Sequence, residues 1–96
     1  MGDPVWGDML IALRRIQLQR LQSFRNQAIE RRLNLVWEHR KERLMCTHPL
    51  ELAKLVCYQT QQLVELQQQK QHSYEALKRE HAAEVYGLLQ FKLNNF

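Results

Sequence analysis

Hydrophobic and polar positions follow a helical period through most of the chain. From Met9 onward, leucine, isoleucine and valine recur every three or four residues among arginine, glutamine and glutamate. Residues 9–48 contain no glycine or proline, and the first strong break is His48-Pro49. Proline disfavours helix at the residue before it and suits the first helical position. The pattern therefore predicts two long helices separated at this pair.

The predicted organisation has three parts and an all-α fold. Residues 1–8 form an N-terminal segment in which Asp8 caps the first helix, and residues 9–47 form a basic amphipathic helix. Residues 48–96 form a second helix with a C-terminal aromatic tail. Two helices of this length leave little self-contained core, so they either lie extended on something larger or form a loose hairpin.

The second helix has an interrupted hydrophobic pattern. Heptad positions fall at Leu52, Val56, Leu63 and Leu66, with Gln59 interrupting them. Residues 67–73 then read QQQKQHS, without one apolar side chain. A self-sufficient coiled coil keeps its apolar positions, so we expect this polar gap to be a solvated or bridging helical segment.

The positive charge of the chain lies in its first half. The net charge is +4, and residues 1–48 hold nine Lys and Arg against five Asp and Glu, whereas residues 49–96 hold five of each. Such asymmetry indicates an acidic partner, which could be a protein, a nucleic acid or a membrane surface.

Three arginines lie among the apolar side chains of the first helix rather than opposite them. At about 100° per residue, Arg14, Arg25 and Arg32 fall in one arc with leucines and a valine. One interpretation is that their stems snorkel out of a hairpin interface. The other is that the arc binds a partner with apolar grooves and carboxylates, because burying a charge without acceptors is costly. We favour the second and expect at least one of these arginines to contact another chain.

The scattered aromatic residues are predicted to be separate anchors for that partner. The full set of predicted partner-binding residues is Arg14, Leu18, Leu21, Arg25, Arg32, Val36, Trp37, Tyr74, Leu77, Tyr86, Phe91 and Phe96.

Catalytic and cofactor chemistry find little support in the sequence. His39, Cys46, His48 and Cys57 surround the break, but their spacing matches no common zinc site. No glycine-rich loop or strand pattern supplies a pocket, so we predict no enzyme activity, no cofactor and no small-molecule substrate.

Nucleic acid and membrane partners also find little support. A basic-region zipper needs regular heptads after its basic helix, and the heptads of this chain are interrupted at residues 67–73. No apolar run approaches the ~20 residues of a membrane span. We therefore expect neither nucleic acid nor membrane as the partner.

The last 21 residues, ALKREHAAEVYGLLQFKLNNF, carry a resemblance to a known family. Together with the long, basic, Gln-rich helices, they resemble the microtubule inner proteins of cilia, whose tail runs from Ala-Leu through Glu-His and Tyr to Gly and Phe. The residues that match are Ala76, Leu77, Glu80, His81, Glu84, Tyr86, Leu88, Leu89 and Phe96. Gly87 directly after Tyr86 departs from the family pattern, and the first helix has no counterpart. The resemblance implies a structural protein that binds tubulin and other inner proteins inside the axonemal doublet microtubule of a cilium or flagellum.

Two other classes remain open. Residues 9–29 lack acids and alternate arginines with apolar residues, as a mitochondrial signal does, although Asp3 and Asp8 precede them. A small mitochondrial assembly factor of the LYR type is thus one alternative, but the chain has Leu13-Arg14-Arg15 and no Leu-Tyr-Arg. A generic coiled-coil adaptor is the other.

Overall fold

The computed structural model describes residues 4–95, and it contains both predicted helices. Helix α1 spans Pro4–Met45 and helix α2 spans Pro49–Asn95, joined by the non-helical residues 46–48. The prediction of an all-α chain whose two long helices break at His48-Pro49 is therefore confirmed.

The break is held by the geometry that proline imposes. The carbonyl of His48 accepts a hydrogen bond from the amide of Leu52 at 2.9 Å, so His48 occupies the capping position of α2. The amide of Cys46 bonds to the carbonyl of Arg43 at 3.2 Å, which tightens the last turn of α1. Because Pro49 has no N–H and restricts His48, α1 cannot continue into α2.

The predicted start of the first helix is wrong. Helix α1 begins at Pro4 rather than Met9, so Asp8 lies inside the helix instead of capping it. Proline suits a first helical position, and Gly7 costs only about 1 kcal/mol inside a helix. At the other end α1 stops at Met45, slightly before the predicted residue 47.

The chain divides into two units, each an antiparallel pair of helical segments. The turn unit is Arg25–His72, in which the end of α1 pairs with the beginning of α2. The terminal unit pairs the part of α1 up to Phe24 with the part of α2 from Ser73. Within each unit the helices thus pair with each other, which favours the hairpin over the extended alternative.

The contact faces of the helices are only half-buried. In the terminal unit, Leu10, Leu13, Leu21 and Phe24 are each partly exposed. No hydrophobic side chain is fully buried among the residues described, and the buried side chains there are Gln17, His39 and Gln59. This agrees with the prediction of little self-contained core.

The heptad pattern predicted for α2 needs one correction. Gln59, expected to interrupt the apolar positions, is only 2% exposed, whereas Val56 is 41% exposed. The true contact face passes through Leu52, Gln59 and Leu66, because the glutamine finds hydrogen-bond partners there. Residues 67–73 are helical and exposed, as expected of a solvated segment.

Candidate functional site

A polar contact joins the two helices of the turn unit. The side-chain amide of Gln59 donates to the backbone carbonyl of His39 at 2.9 Å, and its oxygen accepts from Arg43 at 3.3 Å. Nε2 of His39 lies 2.7 Å from Oε1 of Gln62. Since an amide oxygen only accepts, Nε2 is the donor in this bond. The two most deeply buried side chains of the unit are therefore hydrogen-bonded, which offsets the cost of their desolvation.

The terminal unit contains a similar contact built from different residues. Nε2 of Gln17 donates to the backbone carbonyl of His81 at 3.0 Å and lies 3.4 Å from Oε1 of Glu84. Oε1 of Gln17 accepts from Arg14 at 3.3 Å. In both units, then, a buried glutamine binds a histidine carbonyl of the opposite helix and accepts from an arginine.

An ion pair lies beside the terminal contact. Nη1 of Arg20 is 3.0 Å from each carboxylate oxygen of Glu84. The Arg20 hydrogen bonds hold the pKa of Glu84 below its usual value, against the opposing effect of partial desolvation. Glu84 is thus already occupied within its own chain and is not a free acid or base.

His81 distinguishes the terminal unit from the turn unit. Its Nε2 is buried and has no hydrogen-bond partner among residues 4–95, whereas Nε2 of His39 has one. A buried polar atom without a partner costs about 1–3 kcal/mol. Within the described range, the terminal unit therefore carries a buried nitrogen without a hydrogen-bond partner that the turn unit lacks.

Aromatic residues take part in the helix pairing at the terminal unit. Trp6 donates from Nε1 to the carbonyl of Leu88 at 3.4 Å, and Nζ of Lys92 lies 4.1 Å from the centre of a Trp6 ring. The rings of Phe24 and Tyr74 are 6.0 Å apart and tilted. These aromatic side chains serve the hairpin itself.

The predicted arginine arc does not coincide with the contact face of α1. The contact face follows residues such as Gln17, Leu21 and Phe24, so it shares Leu21 with the arc and is centred to one side of the arginines. Arg14, Arg25 and Arg32 are consequently exposed rather than covered by α2. Arg14 donates to the buried Gln17 of the contact face, as expected of an arginine whose stem emerges from the hairpin interface, whereas Arg25 and Arg32 make no hydrogen bond or ion pair within the described range.

The predicted partner-binding residues fall into two groups. Leu21, Tyr74 and Leu77 are half-buried, at helical spacing from Gln17 or His81, so they belong to the contact faces of the hairpin. The prediction for Phe96 lies outside the described residues. The remaining predicted residues are exposed: Arg14, Leu18, Arg25, Arg32, Val36, Trp37, Tyr86 and Phe91.

The candidate metal ligands are not brought together. Within the described part of the chain, no group of three or more His, Cys, Asp or Glu side chains could hold an ion. Cys46 and Cys57 are free thiols, and the sulfur of Cys46 lies 3.9 Å from the carbonyl of His48.

Sequence reasoning missed the buried polar residues Gln17, His39 and Gln59. A signal was present, because Leu10, Leu13 and Gln17 follow the three-and-four spacing of a contact face. Polar side chains at such positions are easily assigned to solvent, since their partners come from the other helix.

No family model, curated protein or solved structure matches this chain. Across residues 4–95, neither helix has an apolar stretch long enough to cross a membrane.

Proposed function

We propose that this chain is a non-enzymatic structural protein that binds tubulin inside axonemal doublet microtubules and stabilises the lattice. The observation that carries the proposal is that its described residues bury no hydrophobic side chain, while many large ones are exposed. Leu18 is 65% exposed and Leu44 is 77% exposed. Apolar surface of this kind gains stability when a partner covers it.

The charge of the exposed surface favours an acidic partner. Arg25 and Arg32 make no hydrogen bond or ion pair with the residues described, and both are exposed. A guanidinium beside apolar side chains suits a carboxylate that arrives with the partner, because arginine is weakly hydrated and forms forked hydrogen bonds. An acidic lattice such as that of tubulin supplies such carboxylates.

The choice of tubulin and of the cilium is supported by the tail of the chain. Residues 76–96 resemble the tails of ciliary microtubule inner proteins. Tyr86, which carries part of that resemblance, is 64% exposed and therefore accessible to a partner. Other inner proteins of the doublet would be its neighbours.

Co-sedimentation of the purified full chain with stabilised microtubules tests the proposal. We expect saturable pelleting, and we expect a variant with Arg14, Arg25 and Arg32 all changed to glutamine to bind about tenfold more weakly while keeping the helix content of the parent chain by circular dichroism, which is checked because Arg14 donates to the buried Gln17. A matched control changes three exposed cations elsewhere to glutamine: Arg31, Lys54 and Arg79. Arg20 is unsuitable for this control because it binds Glu84.

Two results would contradict the proposal. One is the absence of microtubule pelleting, and the other is equal binding by the two triple variants. Localisation of a tagged full chain supplies an independent test, since axonemal signal supports the proposal and mitochondrial signal supports the assembly-factor alternative.

A further inference from the structure

One side of α1 in the turn unit combines arginines with exposed apolar residues. At 3.6 residues per turn, Arg25, Ile29, Arg32, Leu33 and Val36 fall within about 100° of arc. We call these five residues the arginine face. Its apolar members are well exposed, with Ile29 at 56%, Leu33 at 54% and Val36 at 40%.

The charge of the arginine face is not balanced by the chain. The carboxylates of the same segment of α1, those of Glu30, Glu38 and Glu42, fall outside the arc. Neither arginine of the face has an ion pair or hydrogen bond with a residue in the described range. The face therefore presents positive charge and apolar surface together, which is complementary to an acidic and apolar partner.

We propose that the arginine face docks an acidic amphipathic α-helix of another protein. The five residues lie at helical spacing along one continuous helix, and such a ridge packs into the groove of a second helix. Arg25 and Arg32 are seven residues apart, or about 10.5 Å at 1.5 Å per residue. The docked helix thus carries carboxylates two turns apart, with leucine-like residues between them to cover Ile29 and Leu33.

A second copy of this chain fits the face poorly. Two arginine faces repel each other, and the carboxylates of α1 in this unit lie beside cations of their own helix, as Glu38 does with Lys41 at 3.5 Å. On α2 the exposed carboxylates in this unit are those of Glu51 and Glu65, which lie fourteen residues apart. That separation is twice the spacing of Arg25 and Arg32. Glu65 is also engaged with Gln61, whose amide lies 3.3 Å from its carboxylate.

This inference rests on the proposed role of the chain as a structural protein that binds a partner, and it specifies the kind of partner that binds at the arginine face. The probe is a synthetic helical peptide with three repeats of Glu-Ala-Gln-Leu-Leu-Ala-Gln, labelled for fluorescence anisotropy. Its glutamates recur every seven residues between leucines, which matches the arginine face. Control peptides have the same composition in scrambled order, or lysine in place of glutamate.

Three double variants of the full chain locate the binding. Arg25→Gln with Arg32→Gln removes the charge, and we expect it to weaken peptide binding about tenfold. Ile29→Ala with Leu33→Ala removes apolar contact, and we expect a similar or larger loss. The matched control is Arg31→Gln with Lys54→Gln, which removes two exposed cations outside the face and should change binding less than twofold.

Several outcomes would overturn the inference. Equal binding of the scrambled or lysine peptide, or unchanged binding by both face variants, would show that the face does not select an acidic helix. A concentration-dependent dimer in sedimentation that disappears in the Arg25→Gln, Arg32→Gln variant would assign the face to a second copy. If the chain pellets with microtubules but does not bind the peptide, this inference is wrong and the tubulin proposal stands. If the chain binds the peptide but does not pellet, this inference is supported and the tubulin proposal is wrong.

Discussion

Replacing Gln59 with leucine should stabilise the free chain. Gln59 is 2% exposed, and its amide donates to the carbonyl of His39 at 2.9 Å. Losing this neutral hydrogen bond costs about 1 kcal/mol net, and the long contact with the exposed Arg43 adds little. Burying a leucine side chain at the same position contributes about 2 kcal/mol. The net change is therefore a gain of about 1 kcal/mol.

Thermal unfolding followed by circular dichroism at 222 nm measures this gain. For a domain of this size that unfolds in one step, 1 kcal/mol corresponds to a rise of about 4–8 °C in the midpoint, and a broader transition should move in the same direction. Gln61→Leu makes the same chemical change at an exposed position of the same helix and should leave the midpoint nearly unchanged. If Gln59→Leu instead lowers the midpoint by several degrees, the glutamine contact stabilises the hairpin more than apolar burial does, and the reasoning fails.

Three further predictions concern stability, pH and the break. The isolated chain should unfold over a broad range below about 50 °C. The conformational entropy lost on folding costs about 1–2 kcal/mol per residue, and the described residues have no buried apolar core to offset that cost. A cooperative transition above 50 °C that is independent of concentration would contradict this. Because Arg20 lowers the pKa of Glu84, their pairing should contribute fully to the stability of the fold at pH values above the ordinary pKa of a carboxyl group. This contribution should be lost as the pH falls through the lowered pKa of Glu84. A carboxyl NMR titration checks the shift, and Arg20→Gln should return the pKa of Glu84 towards its ordinary value; an unchanged titration refutes the assigned cause. Pro49→Ala should let helix extend across residues 46–48 and favour exchange of helices between chains, giving dimers in sedimentation; a strictly monomeric variant would show that proline is not what closes the turn.

The fold was predictable wherever local chemistry decides it. The break at His48-Pro49 follows from the proline ring alone, and the helical period needs no knowledge of the partner helix. The start of α1 was missed because Asp8 is a good cap in isolation, although Pro4 also permits an earlier start.

The inner surface of the hairpin was less predictable from the sequence. A helical wheel ranks positions by hydrophobicity, so it drew attention to the leucines and arginines of α1 and assigned no role to Gln17. The contact face instead includes Gln17 and Gln59, because each finds a backbone carbonyl on the opposite helix. A carbonyl acceptor has no signature in the sequence, since every residue carries one.

The polar contacts differ greatly in the length of chain that they close. Gln59 reaches back only twenty residues to His39, whereas Gln17 and His81 are sixty-four residues apart. The entropic cost of loop closure increases with this separation, so we expect the contact nearest the turn to form before the contact between Gln17 and His81. During synthesis the N-terminal half of α1 therefore leaves the ribosome first and waits longest for its pairing segment. For that interval its half-apolar face is open to chaperones, to proteases and to an early encounter with a partner.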